Sequence, residues 1–137
     1  MAKQSFKFDK LIRDKILDMM LSTNCIVHNK KLEGTELVTA LKNKLLEEAH
    51  EVAATKSVEE LKEELADLLE VVYTILSTHK LELAEIEEIR EIKKLQKGSF
   101  TQGIYVSSIE IDENNPEINR YLAKSDKYPK QIDFSGR

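Results

Sequence analysis

Two stretches with apolar residues at helical spacing, joined by the polar linker Thr55-Lys56-Ser57, constrain this chain more than any other feature. At about 100° per residue, Leu41, Leu45 and Val52 share one face of the first stretch, with Leu37, Val38 and Ala49 beside them. Leu61, Leu65, Leu68, Val72 and Ile75 form the same kind of stripe in the second. Ser57 with Glu60 fits a capping box, so a helix is expected from Val58 to about Thr78. It follows one expected over 35–55, which Thr35 can cap. With so short a linker, the two helices are expected to turn back on each other as an antiparallel pair.

Acids sit where such a pair should bury apolar side chains. Glu48 falls in the middle of the first stripe, and Glu51 and Lys44 lie at its edge on one common side. Glu47 is rotated roughly 100° from Glu48, toward the polar face. On the second stretch Glu64 and Asp67 flank the stripe, whereas Glu59, Glu63 and Glu70 are expected to face solvent. Glu48 and Glu64 each lie about eight residues, roughly 12 Å, from the turn, which sets them at the same level. Two carboxylates some 5 Å apart repel by roughly 3 kcal/mol at an effective dielectric of about 20. Protonation or a bound cation must relieve the set, and hard oxygen ligands suit Mg²⁺ or Mn²⁺. Against this stands a plainer possibility: in a chain with 34% charged residues, Glu pairs at this spacing also arise as solvated faces. Two half-sites on adjacent helices at matched height favour the metal reading.

The rest of the chain extends the helical pattern. A first helix is expected from about Asp9 to Leu21, with Phe8, Ile12, Ile16, Met19 and Met20 on its apolar face. A fourth, over about 82–96, carries Leu83, Ile86, Ile89 and Ile92 and is stopped by Gly98. Between Phe100 and Ile111, Tyr105, Val106 and the alternating Ile109 and Ile111 suggest a short strand or hairpin. Asn114-Asn115-Pro116 marks a break, and a short helix over 117–123 precedes a loosely ordered end. The expected fold is all-α, a bundle of about four main helices with that strand or hairpin and a tail. Residues 1–111 form the domain and 112–137 an extension.

Composition narrows the function. A net charge of −4 without any long basic block argues against a nucleic-acid polymer as partner. Cys25 is the only cysteine, which excludes an intramolecular disulfide and makes the reduced cytosol the natural setting. The start lacks a signal-peptide core, and no stretch approaches the roughly 20 apolar residues of a membrane span. The expectation is a soluble cytoplasmic protein. Four helices with long apolar stripes cannot bury everything alone, so a homodimer or higher homo-oligomer is expected.

Three runs carry a resemblance. Lys10-Leu11-Ile12-Arg13-Asp14-Lys15-Ile16, Lys44-Leu45-Leu46-Glu47-Glu48-Ala49-His50-Glu51 and Glu63-Glu64-Leu65-Ala66-Asp67-Leu68-Leu69-Glu70-Val71-Val72 resemble the all-α nucleoside triphosphate pyrophosphohydrolases. That superfamily includes MazG-like enzymes, dimeric dUTPases and phosphoribosyl-ATP pyrophosphohydrolases. The opening run is similar to the small phosphoribosyl-ATP-pyrophosphohydrolase-like branch, over roughly residues 8–106, and Gly98-Ser99-Phe100-x-x-Gly103-Ile104 also fits it. The resemblance implies a Mg²⁺-dependent cut between the α and β phosphates of a nucleotide, releasing a nucleoside monophosphate and pyrophosphate. By motif position it implies that Glu48, Glu51, Glu64 and Asp67 bind metal. It places Glu47 in the outer shell or on a water, with Glu47 and Glu48 the catalytic carboxylates.

Phosphate also calls for cations. Lys44 lies one turn before Glu48 on the same flank, and Arg13 and Lys15 border the first helix's apolar stripe, Arg13 having the fork that holds phosphate bidentately. Lys10 is less well placed by the angle count. His50 points away from Glu48, and Cys25 lacks the His/Asp partners of a nucleophile. Phe100 and Tyr105 read as core or subunit packing rather than base stacking. Nucleotide-pool cleansing is the leading reading; phosphoribosyl-ATP hydrolysis in histidine synthesis and a non-catalytic helical interaction module are the alternatives.

Overall fold

The computed structural model describes residues 2–131. The helices are α1 (Asp14–Ser22), α2 (Gly34–Ala54), α3 (Val58–Thr78), α4 (Leu83–Lys97) and α5 (Ile118–Leu122), with no strand among the described residues. The chain divides into two compact units, Met1–Lys97 and Gly98–Arg137.

In the first unit the expected hairpin forms. α2 and α3 pack against each other across the linker, and Leu41, Val71 and Leu76 are the buried apolar side chains. Ser57 caps α3 by accepting from the Glu60 N–H at 3.1 Å. Glu60 reaches back to the N–H of Lys56 at 2.8 Å, one residue before the cap, so the reciprocal bond of a capping box is displaced by one. Thr35 does not cap α2. The helix opens instead on Gly34 at φ +56, a left-handed conformation that costs glycine little, behind Glu33, which makes no side-chain capping bond.

The first helix starts five residues later than the periodicity suggests. Asp9 adopts φ +44 and Arg13 is extended at φ −67, ψ 145, so residues 10–13 run as a strap rather than as a helical turn. The cause is tertiary. Lys10 reaches Glu47 of α2 and Arg13 reaches Asp67 of α3, while Leu11 and Ile12 are half-buried. Each exposed ion pair contributes no more than about 1 kcal/mol, so the apolar pair must share in holding the strap.

α4 is stapled internally by Arg90, which bonds Glu87 and Glu91, and it ends at Gly98. Every one of its residues is exposed, including Ile86, Ile89 and Ile92.

In the second unit the expected strand over Phe100–Ile111 is absent. The segment makes one turn, closed by the Gly103 N–H on the Phe100 carbonyl, and then runs irregularly. A strand needs a partner for its backbone groups, and alternation alone supplies none. Phe100 and Tyr105 are 97% and 91% exposed, so neither is a core residue. α5 follows two side-chain turns at Asp112 and Asn115, and Tyr121 meets Tyr128 edge-on at 5.2 Å. The final residues of the expected tail, 132–137, lie outside the described residues.

Candidate metal centre and phosphate groove

Glu48 comes from α2, and Glu64 and Asp67 from α3, one turn apart. One carboxylate oxygen from each lies within 4.8 Å of the others. The hairpin accounts for this, since it brings Glu48 and Leu41 of α2 and Asp67 and Thr74 of α3 to one groove. The Glu48 side chain is only 12% exposed, as its place inside the apolar stripe requires. Glu51 is exposed and outside this threesome, although its charge is felt at Glu64.

The electrostatics separate two kinds of acid. Desolvation, followed by the charges of Asp67, Glu51, Glu48 and Glu63, pushes the Glu64 carboxyl above its ordinary range. Glu47 is the reverse case. Burial alone would raise it, but hydrogen bonds from Lys10 at 3.1 Å and from Lys44 hold it below that range. Lys44 lies 3.3 Å from Glu47 and 3.6 Å from Glu48.

A pH dependence follows from Glu64. Its folded pKa is raised, so its contribution to stability is complete below the unfolded value and is lost as pH rises through the folded one. Metal-free protein is therefore expected to lose melting temperature as pH climbs from about the ordinary glutamate value of 4.5 through the raised one. Glu64→Gln should flatten that fall, and Mg²⁺ should reverse it by favouring the ionised carboxylate. Glu47, with its lowered pKa, gives the opposite slope and only at more acid pH. A Glu64→Gln profile that falls as steeply as wild type in EDTA would refute the assignment.

A groove of about 450 Å³ opens beside the carboxylates. The strap and the start of α1 form one wall with Leu11, Ile12, Arg13, Asp14 and Lys15; Lys44 and Glu48 contribute from α2, and Asp67, Glu70 and Thr74 from α3. The structure thus brings Arg13, Lys15 and Lys44 to one groove. Arg13 donates to Asp67 at 2.7 Å, a charged bond to a member of the carboxylate cluster.

Sequence reasoning missed three residues here. Lys10, poorly placed on a helical wheel, lies in an extended strap to which an angle count does not apply. Glu70, read as solvent-facing, and Thr74 border the groove; both follow Asp67 at the three- and seven-residue steps that mark one helical face. His28, His50, His79 and Cys25 are exposed and stand apart from the groove.

The donor set fits a hard divalent cation. Among the described residues three carboxylates and no nitrogen or sulfur ligand converge, at separations that one ion can bridge after small side-chain movements. The chain matches neither a curated protein nor a solved structure. Residues 8–94, which hold the strap, both acid-bearing helices and most of α4, match the family described as phosphoribosyl-ATP pyrophosphohydrolase. With that match over more than half its length, the chain belongs to the phosphoribosyl-ATP pyrophosphohydrolase family, within the all-α MazG-like superfamily, and is a pyrophosphohydrolase of that branch.

Proposed function

We propose that the protein is a Mg²⁺- or Mn²⁺-dependent nucleoside triphosphate pyrophosphohydrolase that cuts between the α and β phosphates and removes unwanted nucleotides from the cytoplasmic pool. The observation that carries this reading is a three-carboxylate cluster opening on a groove lined by Arg13, Lys15 and Lys44. Glu48, Glu64 and Asp67 would hold the metal, with Glu51 joining from the rim. When bound, such an ion polarises phosphoryl oxygens and makes a bound water acidic enough to attack near neutral pH.

The chain's own residues do the rest. Arg13, Lys15 and Lys44 receive the phosphate chain and offset its charge, Arg13 bidentately. Glu48, which lines the groove, orients the attacking water and takes its proton. Glu47 works from outside the groove lining, through the two lysines that it holds.

Phosphoribosyl-ATP is the second reading, favoured by the family's own description. Both substrates present a nucleotide triphosphate to the same cluster. A homodimer or higher oligomer suits either, because three buried apolar side chains among the described residues make a small core and the apolar face of α4 is uncovered. No described helix is long and apolar enough to cross a membrane.

The test is pyrophosphate release with Mg²⁺ or Mn²⁺ across canonical and modified nucleoside triphosphates and phosphoribosyl-ATP. Pyrophosphate and a monophosphate are expected in equal amounts. Orthophosphate as the first product would show that a different bond is cut, and no turnover together with no metal binding would favour a helical interaction module.

A further inference from the structure

We propose that the strap over residues 10–13 is a movable wall of the groove, latched by Lys10 on Glu47, and that Glu47 is a positioning residue rather than a groove carboxylate. The inference rests on the reading of the groove as the phosphate site and of Asp67 as a metal ligand.

The strap is tied at two points to two different helices. Lys10 bonds Glu47 of α2, and Arg13 bonds Asp67 of α3. These ties differ in kind. Asp67 belongs to the three-oxygen cluster, so a divalent cation entering there competes with Arg13 for the same carboxylate. Glu47 belongs neither to that cluster nor to the groove lining, so the Lys10 tie survives metal loading.

Two consequences follow. Arg13, released from Asp67, is free to turn to a phosphate while Lys10 keeps its segment at the groove. Glu47 also holds Lys44, which lines the groove from α2, so one carboxylate sets both the strap and a phosphate-facing cation. Lys10 is further confined by the Phe8 ring, 5.8 Å from its ammonium.

The experiment compares wild type, Lys10→Glu, Glu47→Lys and the double charge swap. Lys10→Glu should raise KM about tenfold with kcat and Mn²⁺ affinity within about twofold, and the swap, which restores the strap tie but leaves Lys44 unheld, should keep KM raised with kcat within about tenfold of wild type. A second readout needs no nucleotide. Chymotryptic cleavage after Leu11, followed by mass spectrometry, should speed up about tenfold in Lys10→Glu with Mn²⁺ bound, less without metal, and return toward the wild-type rate in the swap. A swap that loses kcat by about a hundredfold or more would place the Glu47 carboxylate in the chemistry, and a swap whose strap is cut as fast as that of Lys10→Glu would overturn the latch. So would a Leu11 cleavage rate indifferent to Lys10. If wild type turns over no nucleotide, the pyrophosphohydrolase reading fails, and the cleavage arm still decides the latch.

Discussion

Asp67→Asn is expected to lower pyrophosphate release by about a thousandfold or more, which corresponds to roughly 4 kcal/mol of transition-state stabilisation. The change keeps the size and a hydrogen-bonding oxygen but removes the charge that the cluster offers to a cation. The fold should tolerate it. The Asp67 side chain is 41% exposed, and its bond to Arg13 is a partly exposed ion pair worth at most about 1 kcal/mol. Helical circular dichroism unchanged from wild type, with pyrophosphate release lost, is the expected pair of results. A well-folded variant that keeps a tenth of wild-type activity would remove Asp67 from the ligand set.

Glu48→Gln should have the second large effect, this time on stability. In the metal-free protein the substitution relieves repulsion at a nearly buried carboxylate, so the melting temperature should hold or rise. Wild type at a Mg²⁺ concentration about a hundredfold above its dissociation constant should gain about 2.7 kcal/mol, a shift of several degrees for a domain of this size. The variant should gain almost none of it. Glu63→Gln is the control, because that residue is exposed and lies outside the three-carboxylate cluster. Equal Mg²⁺ shifts in wild type and Glu48→Gln would exclude Glu48 as a ligand.

The hairpin and the meeting of its acids were legible in the sequence because both are local. A three-residue linker, a Ser57 cap and a 3.6-residue period set Glu48 beside Glu64 and Asp67, although the buried side chains of α3 are Val71 and Leu76 rather than those of the expected stripe, of which Leu65 is 41% exposed. The strap was not legible. Its conformation depends on partners 37 and 54 residues away, and no periodicity within Phe8–Ile16 encodes a bond to Glu47 or Asp67. The helix expected from Asp9 and the low weight given to Lys10 were one error, both drawn from a helical wheel applied to extended chain. The strand expected near Tyr105 failed for a related reason, since alternation describes a face and says nothing about a partner.

The linker also decides how the site responds to disorder elsewhere. Glu48 and Glu64 are sixteen residues apart, and closing so short a loop costs little entropy compared with gathering ligands from the whole chain. Fraying of the N-terminal strap would therefore take away groove-lining side chains before it dispersed the carboxylates. On the proposed function, the hairpin would be a self-contained cassette for the cation, and the strap before it would be free to change what it asks of the nucleotide.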